Sequence, residues 1–241
     1  GKRGVGLPKR SDADAYSGST PADFRFSIKC PDSLTLTHHR ARAGGAAEPN
    51  PSFLDPGLFA RFLEALGGLV AKTSLFIFQF EYLNKDKMPS KEAFMDRLGA
   101  FVSKLPSGLP YAVELRNPRW IGAAFPRELA SLGVAPALLQ GYWMDDVAEL
   151  LSQGPAAFPG DALCLRLHGR DREGMESRAG EDWSRVVRAM DEELARLAAP
   201  LRELLSAGKR VYVNVNNHYE GCAPITIAKL RALLSPGDAH A

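Results

Sequence analysis

Glu114 and Arg116 stand two residues apart in the run YAVELR, and Arg166 and His168 stand two apart in ALCLRLH. A buried carboxylate serves as a general acid or base when its surroundings tune it, and imidazole titrates near neutrality. Guanidinium groups carry fixed charge and grip phosphate or carboxylate through two hydrogen bonds. Asn216, Asn217 and His218 close the run VYVNVNN, where amides can orient a carboxylate or a sugar hydroxyl. Lys29 ends FRFSIK, and Gln79 is the strongly polar residue inside LFIFQF. Glu114 and His168 are therefore the candidates for proton transfer. Lys29, Gln79, Arg116, Arg166, Asn216 and Asn217 are the candidates for holding a ligand. Plainer readings compete with each: Glu114 as the internal counter-ion of Arg116, His168 as a satisfied core histidine, Asn217 as a turn or helix cap.

Strand parity places these residues. Side chains alternate faces along a strand. Glu114 and Arg116 oppose Val113 and Leu115; Arg166 and His168 oppose Leu165 and Leu167; Asn214 and Asn216 oppose Val213 and Val215. In FRFSIK, Arg25, Ser27 and Lys29 oppose Phe24, Phe26 and Ile28. Strand runs at 24–29, 74–80, 111–116, 135–140, 162–168 and 210–216 alternate with helical patterns at 56–71, 90–104, 125–132, 145–152, 181–206 and 224–234. That order predicts an α/β fold, a TIM-barrel-like parallel barrel left incomplete at about six strands where a closed one has eight. Residues 1–23 read as an aperiodic, flexible lead-in, and 24–241 as a single (β/α) barrel domain. The stretch 37–52 and the charged run GRDREGMESRAG read as loops. The strands at 24–29 and 210–216 should border the gap, to be covered by residues 1–20, a partner chain or another segment.

The 241 residues are 45% apolar and 24% charged, as in a globular protein. Thirty basic and 28 acidic residues leave a formal charge of +2, which provides no field for non-specific nucleic-acid binding. Cys30, Cys164 and Cys222 lie far apart without a CxxC pair, which suits reduced thiols in a cytoplasmic protein. No apolar run has the length of a membrane span. Neighbouring His38 and His39 do not converge on one ion, and no HExxH motif accompanies them, so no metal is expected. GxGxxG, GxxxxGK[ST] and GxSxG motifs are also missing, so no nucleotide cofactor and no esterase-type serine is expected.

Taken in order, DFRFSIK, TLTHHR, FQF, YAVELRNPRW, LRLHG and VYVNVNNHYEGCAPITIAKL resemble the domain of unknown function 72 (YecE-like) family over about residues 20–234. The resemblance implies a TIM-barrel-like fold with a polar site at the strand ends. The family's shared positions fall on Lys29, Thr37, His38, Gln79, Glu114, Arg116, Trp120, Arg166, His168, Gly169, Asn216 and Asn217. An N-terminal glycine–tryptophan strand and a second strand bearing a glutamate, both usual in the family, are not found here, and Asn117 stands where a histidine is frequent. The family supplies no established reaction.

The leading expectation is an enzyme that treats a small anionic ligand, phosphate- or carboxylate-bearing, by acid/base chemistry. A second is a nucleic-acid-binding or phosphodiester-processing protein using the same arginines. A third is a non-catalytic ligand-binding barrel.

Overall fold

The computed structural model describes residues 6–39 and 48–235. The middle of the expected 37–52 loop and the first five residues of the lead-in lie outside them. The chain divides into two compact units at the Arg116–Asn117 bond. Six parallel strands alternate with helices, and the fold is an incomplete TIM-barrel-like α/β fold, as the sequence order predicts.

The first unit holds β1 (Phe26–Lys29), β2 (Thr73–Gln79) and β3 (Tyr111–Glu114), paired in parallel in that order. Its helices are α1 (Arg10–Gly18), α2 (Asp32–Thr35), α3 (Pro56–Leu66) and α4 (Lys91–Val102). Asp55 caps α3 by accepting from the Gly57 N–H at 2.9 Å, and Ser90 caps α4 by accepting from the Ala93 N–H at 3.2 Å. Phe59 and Phe62 of α3, Phe101 of α4, and Phe76, Phe78 and Tyr111 of the strands form one aromatic cluster. Phe59 touches all the others of this cluster, with ring centroids 5.4–6.5 Å apart.

The second unit holds β4 (Ala135–Gly141), β5 (Ala162–Gly169) and β6 (Arg210–Val215), again parallel and in order. Its helices are α5 (Phe125–Ser131), α6 (Val147–Leu151), α7 (Arg172–Ala179), α8 (Asp191–Ser206) and α9 (Ala223–Leu234). Leu194, Leu197, Leu201 and Leu204 of α8 are all wholly buried and follow the three-and-four spacing of a helix face.

Three local expectations are corrected. Residues 10–18, part of the expected lead-in, are helix α1. It buries Ala13 alone among its residues, so no apolar stripe announces it. Tertiary bonds hold it instead: the Lys72 ammonium donates to the carbonyls of Ser17 at 2.6 Å and Thr20 at 2.9 Å, satisfying the chain at the helix end. The charged run after β5 is not a loop but α7. Asp171 caps it through the Gly174 N–H at 2.8 Å, and Gly180 ends it at φ +58°. The helix expected from residue 181 starts only at Asp191 and then runs through Pro200 to Ser206. Residues 187–190 are drawn out of helical geometry because their amides are committed elsewhere. The Glu220 carbonyl accepts from the N–H groups of Val187 (2.7 Å) and Arg188 (3.0 Å), and its carboxylate from the N–H of Met190 (2.7 Å).

Candidate active site at the strand ends

In the first unit, parallel register sets Gln79 beside Glu114 at the ends of β2 and β3. Arg116 follows Glu114 by two residues, and its Nε donates to Glu114 Oε1 at 3.2 Å. The Glu114 side chain has no solvent exposure, and that of Arg116 retains one fifth of its own. A buried carboxylate with a guanidinium partner stays compatible with the low-dielectric interior. Lys29, two register positions before the end of β2, goes elsewhere: its ammonium pairs with Asp32 at the start of α2, with both groups well exposed. The first unit thus brings together Gln79, Glu114 and Arg116 and draws the charge of Lys29 to the surface.

In the second unit, Arg166 and His168 share one parity of β5 and both are half-buried. Arg166 registers with Leu139 of β4 and Asn214 of β6. The Tyr142 hydroxyl lies 3.3 Å from His168 Nδ1, which fixes the ring's orientation. Tyr142 sits just past β4 at φ +50°, a conformation that side chains other than glycine seldom adopt. The strand ends approach one another very closely here. A Cβ on Gly141 would lie 2.4 Å from the Gly169 carbonyl, and one on Gly169 would lie 2.4 Å from the His218 carbonyl. The three loops leave β4, β5 and β6 with backbone against backbone, a separation only glycine permits.

Asn216 and Asn217 act first on their own loop. Asn216 Oδ1 accepts from the backbone N–H of His218 at 2.9 Å and also meets His218 Nδ1. Asn217 Oδ1 accepts from the Ala223 N–H at 2.8 Å, holding the first turn of α9. The other ring nitrogen of His218, Nε2, lies 2.9 Å from Glu176 Oε1 on α7. Since the Asn216 oxygen is identified by the backbone donor it accepts, and Glu176 is a carboxylate, both imidazole nitrogens meet acceptors. Trp183 packs edge-on against the same ring at 5.2 Å. Arg172 Nε reaches the same Glu176 oxygen at 2.8 Å. Arg172 first, and His218 second, hold the Glu176 carboxyl below its ordinary range.

Tyr142, Glu176, Trp183 and His218 are the residues that parity alone does not single out. Tyr142 lies in the GYW that follows a strand end, and Glu176 is four residues after Arg172 in a segment read as loop. A helical reading of that segment would have paired them. Among the described residues no group of three or more His, Cys, Asp or Glu is arranged to hold a metal ion. His38 instead contacts the neighbouring Thr37 hydroxyl through Nδ1 at 3.0 Å. No helix of the described residues is long and apolar enough to cross a membrane.

Solved structures that resemble this chain include two DUF72 family proteins. A DUF72 family protein from Enterococcus faecalis V583 is 19% identical with a TM-score of 0.68, over 96% of this chain and 82% of that one. A DUF72 family protein from Thermotoga maritima MSB8 is 19% identical with a TM-score of 0.65, over 95% of this chain and 80% of that one. At that identity the likeness shows the fold alone. No curated protein matches the chain. The family described as "Protein of unknown function DUF72" has a sequence model that matches residues 6–240, nearly the whole length, and with the fold shared as well the chain belongs to the DUF72 family.

Proposed function

We propose that this protein is an enzyme that acts on a small anionic substrate, bearing phosphate or carboxylate, through acid/base chemistry. The observation that carries the reading is the end of β5. Arg166 and His168 project on one parity, neither is fully buried, and a tyrosine hydroxyl orients the imidazole. A fixed cation beside an oriented titratable ring is the minimum apparatus for holding an anion and moving a proton. In the first unit, Arg116 and Glu114 likewise set a cation beside a group able to carry a proton, 3.2 Å apart. Arg116 and Arg166 have the binding roles in this proposal, with Gln79 and Asn216 as polar support, while Lys29 is taken up by Asp32 and Asn217 by the start of α9. Glu114 and His168 have the proton-transfer roles.

The test pairs stability with affinity. Inorganic phosphate and a panel of small carboxylates are titrated calorimetrically into wild type, Arg166→Ala and Glu114→Gln, and each variant's melting temperature is recorded. Arg166→Ala should weaken binding of the best ligand by about tenfold or more, the size expected for a lost charge-assisted hydrogen bond. Glu114→Gln should leave affinity within about twofold and abolish turnover of that ligand. If both variants melt early and the folded fraction binds as wild type does, the charges serve packing, and the catalytic assignment is wrong.

A further inference from the structure

Past β4 the chain turns through Tyr142 and Trp143. The Tyr142 amide donates to the Gly169 carbonyl at 2.9 Å, and the Met144 amide to the Gly141 carbonyl at 3.1 Å, so the turn is pinned to the end of β5 and closed on itself. Trp143 rides on it with 56% of its surface exposed, while Met144 beside it is buried. Tryptophan is on average a highly buried residue, so a half-open one on a pinned turn is unusual. Its ring lies 5.8 Å from that of Tyr142, tilted by 42°, and the Tyr142 ring lies 5.6 Å from the His168 imidazole, tilted by 41°. Three rings thus run in a row from solvent to the half-buried histidine. Two charges flank the row. Arg170 is exposed, and its guanidinium reaches the Met144 carbonyl at 3.4 Å, its one hydrogen bond among the described residues. Asp145 is exposed as well. The next acid, Asp146, is committed: it accepts from the Ala148 N–H at 3.0 Å and from Arg196 at 3.2 Å.

We propose that Trp143, backed by Tyr142, is a specificity-determining platform, and that the substrate carries its anionic group on a planar aromatic ring. The ring stacks on Trp143, and the anion meets the cations of the β5 end, Arg166 and Arg170. This rests on the acid/base reading of that strand end and narrows its substrate class. The backbone argues for it first. Tyr142 holds φ +50°, which glycine would adopt without strain, so the side chain is what the strained position retains. That side chain does two things: its hydroxyl meets His168 Nδ1 at 3.3 Å, and its ring backs Trp143. The surface argues next. A pinned turn presents the indole already ordered, so a stacking partner gains contact without first having to immobilise it. Aromatic pairs gain more than the area they bury, which an aliphatic anion does not obtain. A bare phosphate or acetate would leave the indole uncovered. A cationic ring would suit Trp143 and Asp145, but it would be set against Arg166 and Arg170.

Two ligand series are titrated calorimetrically into wild type, Trp143→Ala, Trp143→Phe and Arg170→Gln: 1-naphthyl, cyclohexyl and methyl phosphate, and 2-naphthoate against acetate. In at least one series wild type should bind the naphthyl compound about tenfold more tightly than the methyl one, and in the phosphate series the flat ring should outdo the puckered cyclohexyl ring by several-fold. Trp143→Ala should bring the naphthyl-to-methyl ratio close to one, and Trp143→Phe should restore most of it. A ratio cancels any general loss of folded protein. Arg170→Gln should weaken the ringed and ringless anions by the same several-fold factor; equal affinity for both in that variant and in wild type overturns the placement of the anion. If methyl phosphate or acetate binds and its naphthyl counterpart binds no better, the platform is refuted while the acid/base reading stands. A naphthyl preference that survives Trp143→Ala puts the ring elsewhere and also refutes it. If no anion of either series binds, both readings fall together.

Discussion

Glu220 is an acidic side chain with no solvent exposure. Its carboxylate accepts from the Met190 N–H, the Lys229 ammonium at 3.0 Å and the Thr226 hydroxyl at 2.7 Å, while its carbonyl takes two further amides. One residue thus ties the 187–190 segment to α9. Glu220→Ala should cost about 3–5 kcal/mol, because Lys229 and the Met190 amide lose their partner together. Urea denaturation of the variant against wild type reads that number, and a loss below about 1 kcal/mol would show the network to be incidental. Glu220 lies in the HYEG stretch beside Asn216 and Asn217. Sequence spacing marks that stretch as polar and cannot separate the amides that face a ligand from those that fold the loop. The structure does so for Asn217, whose side-chain oxygen holds α9.

At the scale of elements, α7 depends on carboxylates. Asp171 caps it, and Glu176 links it to Arg172 and to His218 beyond β6. The cap bond from the Gly174 amide, and then Arg178, hold Asp171 below its ordinary range, as Arg172 and His218 do for Glu176. Both groups release their protons more readily in the folded chain. Their contribution is therefore complete above the ordinary values of 3.8 and 4.5 and is lost as pH falls through the lower folded values. Hydrogen exchange in residues 172–179 should accelerate selectively on acidification below about pH 4, an expectation set by ordinary carboxylate titration. In Glu176→Gln the acid-induced change should be smaller. Equal acceleration in α8 and α9 would refute a local effect. The strands were legible because alternation survives burial, and α3 and α4 because caps and apolar spacing agree. The helices α1 and α7 were not. Their sequences are polar nearly throughout, and each is tied down by a group from elsewhere in the chain, Lys72 for α1 and His218 for α7.

For the molecule as a whole, the alternation of strands and helices sufficed to indicate a parallel α/β fold with six strands, since connection rules leave few alternatives. The candidate site could be read from the sequence only as a set of residue types at strand ends. It was not legible as a set of bonds, because Tyr142–His168 and His218–Glu176 join residues 26 and 42 positions apart. Part of the stability at high pH resides in the buried core of the first unit. Burial, with the Cys30 thiolate adding, pushes the Tyr111 phenol up to about 12, and burial also raises Cys30, against a small opposing effect of Lys29. Both groups hold their protons more tightly when folded, so this stability is complete below their ordinary values of 9.0 and 10.0 and is lost as pH rises through the folded ones. Tyr111 alone should forfeit about 1 kcal/mol by pH 11. Tyr111→Phe should remove that part of the slope, while losing about 1 kcal/mol at every pH with its 2.8 Å bond to the Pro106 carbonyl. Urea midpoints at pH 8 and pH 11 distinguish the two effects. A different kind of consequence follows from the glycine crossings at Gly141 and Gly169. Where main chain rests on main chain, the spacing of the three loops does not depend on which side chains they bear. The side chains at positions 142, 168 and 218 can then be replaced one at a time without moving the frame that aims them. Such a frame can change its chemistry while keeping its shape.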